Sequence, residues 1–476
     1  MEANRRDDED MEGQELHHQQ QSKKVDLTIM KVGEIFSLEL SQLKYLTFMI
    51  MGVALLWPWN CFLSASAFYG TRFSNTLSLV KIYSSTMMSV STITSTAYNF
   101  YLSQKQTGVN YRKRVHIGLN MTIFIFVFMA ITCVVQLLID MDDTAFFIIL
   151  MFMVFLSAAA TCLAQNGVMA MVNVMGSRYA NAVMVGQAIA GVLPSCALIV
   201  SVLLVGEKGS EEKHKIEKDF GVFMYYITAS LICIVGLSLL YLVTQYESGL
   251  EYHKLDQITQ DDNVFPEEEG QEEEEREEQE EQELVDSIPT QKQFVPFFQL
   301  WSKLKLIVMT IFFTFSITLA FPVFASVVES NHTESKFKLF NKQIFVPFIY
   351  LIWNLGDLLG RVSCGFPRLN MVVTSPRILI TYSLARLVFI PLFLTCNVHP
   401  GVSEPLIKSD IWYILLQLLF GISNGQLCTS SFMIVGKHCD TDDEKEAAGG
   451  FTSVFLSVGL AVGSIFSYLL VLVVNQ

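Results

Sequence analysis

Asp357 and Arg361 stand four residues apart inside the apolar run NKQIFVPFIYLIWNLGDLLGRVSCGF. Four residues is about one helical turn, so the two side chains share a face. A carboxylate accepts hydrogen bonds from two hydroxyls, and a guanidinium presents a fork of donors. Held as a pair they suit a neutral diol such as a ribose better than an ion, because neither charge is left over. Ionised residues inside a membrane span cost about 2.5–3.5 kcal/mol each on insertion scales, and they usually face a bundle interior or a watery cavity. The pair therefore marks either a polar pocket or an ion pair that only locks two helices together.

Other residues carry similar chemistry. In Trp57-Pro58-Trp59-Asn60 the proline removes a backbone donor and frees a carbonyl about one turn earlier. Asn60 is an amide that needs partners when buried. A tryptophan beside such a kink can stack on a flat ring or anchor at a membrane interface. Its depth in the run, about 20 Å of helical rise, favours stacking. Gln165 and Asn166 offer amide donors and acceptors together, for a ligand with mixed hydrogen-bond edges or as glue between helices. Arg386 either completes the Asp357 network or supports it structurally, and support is the preferred reading. The hydroxyl-rich run SSTMMSVSTITST can bond back to its own preceding turn or line a wet surface.

Several chemistries find no residues. The chain has no P-loop, HExxH or GxSxG, so nothing points to ATP hydrolysis or hydrolytic catalysis. Its nine cysteines form no CxxC and most lie in apolar runs, where a free thiol behaves as a small hydrophobe. The histidines lie in tails, loops and span edges, away from any mid-membrane relay. The expectation is a protein that is not an enzyme and needs no metal or cofactor.

The elements that must hold these residues follow from composition. The chain has 476 residues, 51% hydrophobic and 16% charged, too apolar for a soluble globular protein. Runs of about 20 apolar residues are needed to span a bilayer. Eleven are read, at about 45–69, 79–102, 115–139, 144–171, 179–205, 221–244, 304–328, 343–364, 376–396, 410–436 and 447–474. The expected organisation is a largely disordered tail (1–44), six spans (45–244), an acidic disordered linker (245–303) and five spans (304–476). Net charge is −14, but residues 261–286 alone hold fifteen acids and Arg276, so the rest of the chain is neutral. The acidity says nothing of substrate sign, and no nucleic-acid partner is implied.

The halves echo each other at a six-span offset. Pro58 in span one matches Pro322 in span seven. Gln165-Asn166-Gly167 in span four matches Asn424-Gly425-Gln426 in span ten. Gly186 and Gly191 in span five match the glycines of span eleven. Matched interruptions suggest parallel repeats with a midplane site between two bundles. Lys105, Arg112, Lys113 and Arg114, with Arg368 and Arg377, place the amino terminus and the linker in the cytosol. Asn331-His332-Thr333 is a glycosylation sequon on the opposite side. From the residues alone, the reading is a solute transporter for a neutral, hydroxyl-bearing substrate.

Pro58-Trp59-Asn60, Gln165, Gly186-Gln187-Ala188-x-Ala190-Gly191 and Trp353-Asn354-xx-Asp357-xx-Gly360-Arg361 together resemble the equilibrative nucleoside transporters. The resemblance covers the whole membrane part and is nearest in flavour to the fungal vacuolar branch. It implies an all-α polytopic protein with eleven helices in a 6+5 two-bundle arrangement related to the major facilitator architecture. It also implies facilitated transport of purine and pyrimidine nucleosides by alternating access. Asp357 and Arg361 would then contact the ribose, Trp59 would lie beside the ligand, Gln165 would meet the base, and Asn60 would hold the polar network. Supporting positions are Met88, Asn166, Trp353, Asn354, Arg386, Asn424 and Gln426. The implied partners are nucleosides and the lipid bilayer. The implied address is a vacuolar membrane with export to the cytosol, the plasma membrane being the alternative. Family members often read LPWN, whereas here Trp57 precedes Pro58. Proton-coupled uptake, a sugar or vitamin riboside as substrate, and a non-transporting receptor are the rival readings.

Overall fold

The computed structural model describes residues 28–32, 36–205, 219–261, 293–332, 340–369, 371–398 and 404–474. Apart from one antiparallel hairpin, β1 (Thr28–Val32) with β2 (Phe36–Glu39), its regular structure is helical. The amino-terminal half contains α1 (Leu40–Ser64), α2 (Ser66–Arg72), α3 (Leu77–Gln104), α4 (Tyr111–Thr132), α5 (Gln136–Ile139), α6 (Asp143–Met175), α7 (Ser177–Val205) and α8 (Phe220–Asp261). The carboxy-terminal half contains α9 (Phe297–Thr318), α10 (Ala320–Val327), α11 (Lys342–Gly365), α12 (Pro376–Ala385), α13 (Phe389–Phe393), α14 (Asp410–Val435) and α15 (Asp442–Val474). Side-chain caps start several of them. Asn110 accepts from Lys113 N at 3.0 Å, and Asp142 accepts from Thr144 N at 2.9 Å.

Among the described residues, ten helical stretches are long and apolar enough to cross a membrane. The second expected span, α3, is a 28-residue helix but is not among the ten. Its hydroxyls, dense from Ser84 to Thr96, keep its apolarity low.

The expected boundaries shift where hydropathy marks the end of an apolar run and not the end of a helix. The 1–44 tail is not irregular throughout, because the hairpin occupies its last part and α1 already begins at Leu40. The 245–303 linker is shorter than expected at both ends. α8 continues to Asp261, and Glu247 on its polar extension pairs with Lys44 at 2.8 Å and Arg112 at 3.4 Å. The chain rejoins the core at buried Val295, whose N–H donates to Gln106 Oε1 at 2.9 Å. The rest of the tail and the acidic run, residues 1–27 and 262–292, lie outside the described residues.

Small residues let the helices close on one another. A Cβ on Gly186 of α7 would sit 1.9 Å from Met49 O of α1, and one on Gly425 of α14 would sit 2.0 Å from Asp357 O of α11. Gly459 and Gly463 of α15 bring that helix close to Phe312 and Ser316 of α9, where an added Cβ would sit 2.8 Å from the nearest atom in each case. Contacts of α7 with α1 and of α15 with α9 are equivalent under the six-span offset. The first span of each half also breaks alike. α1 gives way to α2 at Ala65, and α9 gives way to α10 at Leu319, with Pro322 in the first turn of α10 where its missing N–H is tolerated.

Successive long helices run in opposite directions. The ends of α3, α6, α8 and α14 therefore lie together with the starts of α4, α7, α9 and α15. We call this the linker end, and the opposite one the far end. Among the described residues, the hydrogen bonds that join the halves fall in the middle or at the linker end. They include Asn173 Nδ2 to Lys445 O at 3.1 Å, Asn181 Nδ2 to Arg361 O at 2.9 Å, Asn354 Nδ2 to Ser195 Oγ at 3.2 Å and Val295 N to Gln106 Oε1.

Candidate functional site

Between the halves lies a cavity of about 310 Å³. Its wall draws Leu55, Leu56 and Trp59 from α1, Met88, Ser91, Thr92, Ser95 and Asn99 from α3, and Gln165 from α6. Gln187 of α7, Phe315 of α9, Arg361 of α11 and Ser457 and Ser464 of α15 complete it. Trp59, Met88, Gln165 and Arg361 are thus brought to one space.

Arg361 and Asp357 are both buried, at 6% and 4% exposure. Arg361 Nε lies 2.9 Å from Asp357 Oδ2, an ion pair without hydrogen-bond geometry, since Nε has no hydrogen-bond partner. Arg361 Nη1 donates to Met184 O of α7 at 2.9 Å, which anchors it across the halves. Asp357 itself does not line the cavity. It stands behind Arg361, and its Oδ1 accepts from Asn424 Nδ2 at 2.6 Å. Asn424 Oδ1 lies 2.6 Å from Thr318 Oγ1, which receives Arg386 Nη1 at 3.2 Å. Arg386, 1% exposed, also donates to Thr314 O at 3.0 Å and Ser423 Oγ at 3.1 Å, and its guanidinium lies 4.4 Å from the Phe420 ring centre. A single polar chain therefore runs from Arg361 to Arg386 through the carboxy-terminal half.

Trp59 and Gln165 are half-buried, and Gln165 makes no hydrogen bond among the described residues, so its amide is open to a ligand. Trp57 turns the other way. Its Nε1 donates to Thr228 Oγ1 at 3.0 Å, and its ring stacks on Tyr225 of α8.

Other expected residues lie away from the cavity. Asn60 Nδ2 donates to Ala190 O of α7 at 2.7 Å, pinning α1 to α7 two residues after Pro58. Asn166 Oδ1 accepts from Arg114 Nη1. Trp353 stacks on Phe321 with centroids 4.5 Å apart. Asn354 bridges to Ser195 of α7. Gln426 accepts from Tyr382 OH at 3.2 Å and donates to Met371 O at 2.9 Å.

Sequence reasoning did not single out Asn99, Ser457 or Ser464, and it quoted Gln187 within a motif without giving it a role. A signal for the first was present: positions 88, 92, 95 and 99 recur at helical spacing and define one face of α3. Among the described residues, no group of three or more His, Cys, Asp or Glu could hold a metal ion. What the arrangement offers is binding: a ring face, an open amide and a guanidinium around one space.

The sequence profile of a family described as "Nucleoside transporter" matches residues 150–472. "Nucleoside transporter FUN26" of Saccharomyces cerevisiae is 37% identical over 480 residues, covering 92% of this chain and 86% of that protein. "Equilibrative nucleoside transporter 1" of Homo sapiens is 27% identical over 471 residues, covering 89% and 96%. Among solved structures, the human organic anion transporter MFSD10 (TETRAN) is similar at a TM-score of 0.55 and 10% identity, covering 91% of this chain and 95% of that one. The major facilitator superfamily proton:xylose symporter XylE, bound to 6-bromo-6-deoxy-D-glucose, gives 0.51 and 10%, covering 90% and 88%. At such identity the likeness is one of fold.

Proposed function

This chain belongs to the nucleoside transporter family, and from that premise we propose that it carries purine and pyrimidine nucleosides down their gradient by alternating access. It is a multi-pass integral membrane protein. The observation that carries the reading is the cavity between the halves, where Trp59, Gln165 and Arg361 meet. A nucleoside has three matching parts: a flat ring, a base edge with donors and acceptors, and a sugar with vicinal hydroxyls. The base lies beside Trp59 with Gln165 on its edge. The ribose reaches the Asp357–Arg361 pair from the Arg361 side. Asn424, Thr318 and Arg386 hold the carboxylate from behind. Asn60, Asn354 and Trp353 keep the surrounding helices in register.

The halves are bonded in the middle and at the linker end, which supports assigning this structure to the state open toward the far end. The linker end also carries Lys44, Arg112, Lys113, Arg368, Arg377 and Lys437, which supports a cytosolic linker and amino terminus. The far end is then luminal or extracellular. A vacuolar membrane, with export to the cytosol, is the preferred address on the likeness to the fungal branch. The plasma membrane is the alternative.

Displacement of labelled uridine from the purified protein tests the reading. Unlabelled uridine and adenosine should compete, and free ribose at the same concentration should not. Equal competition by ribose would move the assignment to a sugar, and absence of any uridine binding by folded protein would remove it.

A further inference from the structure

Asn99 has one end of its amide committed and the other idle. It lies on α3, is 5% exposed and lines the cavity. Its Nδ2 donates to Ser457 Oγ of α15 at 2.5 Å, across the two halves. Ser457 Oγ gives its own proton to Ser453 O at 2.9 Å, so toward Asn99 it accepts, which assigns Nδ2 to the Ser457 side of the amide. Oδ1 is then buried with no hydrogen-bond partner among the described residues. A buried acceptor without a donor carries a desolvation penalty that a donor supplied from the cavity would relieve.

The depth of Asn99 indicates which part of a ligand it meets. α3 and α6 run in the same direction and touch where Cys162 Sγ lies 3.8 Å from Ser95 O. Asn99 is about one turn beyond Ser95, and Gln165 about one turn beyond Cys162, so the two amides share a level of the cavity. That is the level assigned above to the base.

Resting on the nucleoside reading, we propose that Asn99 Oδ1 accepts a hydrogen bond from the N–H donor on the pairing edge of the nucleobase. Uridine supplies N3–H. Adenosine, cytidine and guanosine each carry an N–H donor on the same edge, so one acceptor serves purines and pyrimidines. The amide that meets the base is also the one that holds Ser457. One side chain thereby ties base recognition to the contact between the halves.

The test compares uridine with 3-methyluridine, whose N3 carries a methyl group in place of the proton. Each competes for labelled uridine uptake into liposomes containing the full-length protein. The wild type should prefer uridine by about tenfold, the scale of one buried hydrogen bond. Asn99→Ala should lose that preference by weakening uridine and not 3-methyluridine. Asn99→Leu, which keeps the volume filled, should do the same. Ser457→Ala retains Oδ1 and should keep the preference while altering the maximal rate. An undiminished preference in the Asn99 variants, or none in a wild type that transports uridine, overturns the role of Asn99 and leaves the nucleoside reading intact. A folded wild type that transports no nucleoside overturns that reading, and this one with it.

Discussion

Asp357, Arg361, Asn424, Thr318 and Arg386 form one buried polar chain, but its members do not have equal access to the cavity. Removing one partner of a buried pair leaves the other uncompensated. Asp357→Ala is therefore expected to cut ribonucleoside uptake by ~100-fold or more while the protein still inserts. Uptake normalised to reconstituted protein checks this, and wild-type uptake by a well-folded variant would remove the ribose clamp. Arg386→Ala should instead cost stability, about 2–4 kcal/mol, because it removes five donated hydrogen bonds and the contact with Phe420. Uridine affinity should stay within about threefold, measured by competition beside a thermal unfolding curve. The Asp357–Arg361 pair was legible in the sequence, because two charges at helical spacing in an apolar run leave few interpretations. Thr318 was not, since a threonine in a span carries no mark of its partner. Nor could the residues alone decide between Trp57 and Trp59, which point to nearly opposite sides of a helix, about 160° apart, and face a packed core and the cavity respectively.

At the scale of helices, contact between α11 and α14 depends on two pairs of glycines. Gly356 and Gly360 face Gly421 and Gly425, each pair four residues apart on its own helix. Gly425→Val should force α14 off Asp357 O and cost about 3 kcal/mol or more, read as a lower unfolding temperature and loss of monodisperse protein. Gly249→Val, where a Cβ meets nothing within 4 Å, is the control and should be silent. The glycine spacing could be read from sequence, although which helix it faces could not, because that depends on contacts between distant segments. The identity of α3 was harder still. Its hydroxyls read equally as bonded back to their own helix or as a wet wall, and the structure places Ser91, Thr92 and Ser95 in the cavity wall. The true end of α8 was hidden for a different reason: hydropathy cannot see a helix that continues in polar sequence past the membrane.

For the whole molecule, the six-span echo was the most useful sequence signal. It pointed to two related halves with a site between them, and a cavity lined from both halves is what the structure contains. Which end of the interface is closed lay beyond sequence, since both states of a rocking transporter share one chain. Replacing residues 267–283 with a Gly/Ser segment of equal length removes the acidic charge and preserves reach. Uridine uptake should then remain within about twofold of wild type, as for a connector that takes no part in transport. A stable but inactive variant would make the acidic run part of the mechanism. The most direct test is uptake of labelled uridine and adenosine into liposomes holding the purified protein, first with no ion gradient and then with an inward proton gradient. Saturable uptake without a gradient, ending when the inside and outside concentrations are equal, is the predicted result. Uptake only when the proton gradient is present, or none in either condition with folded protein, would contradict facilitated nucleoside transport.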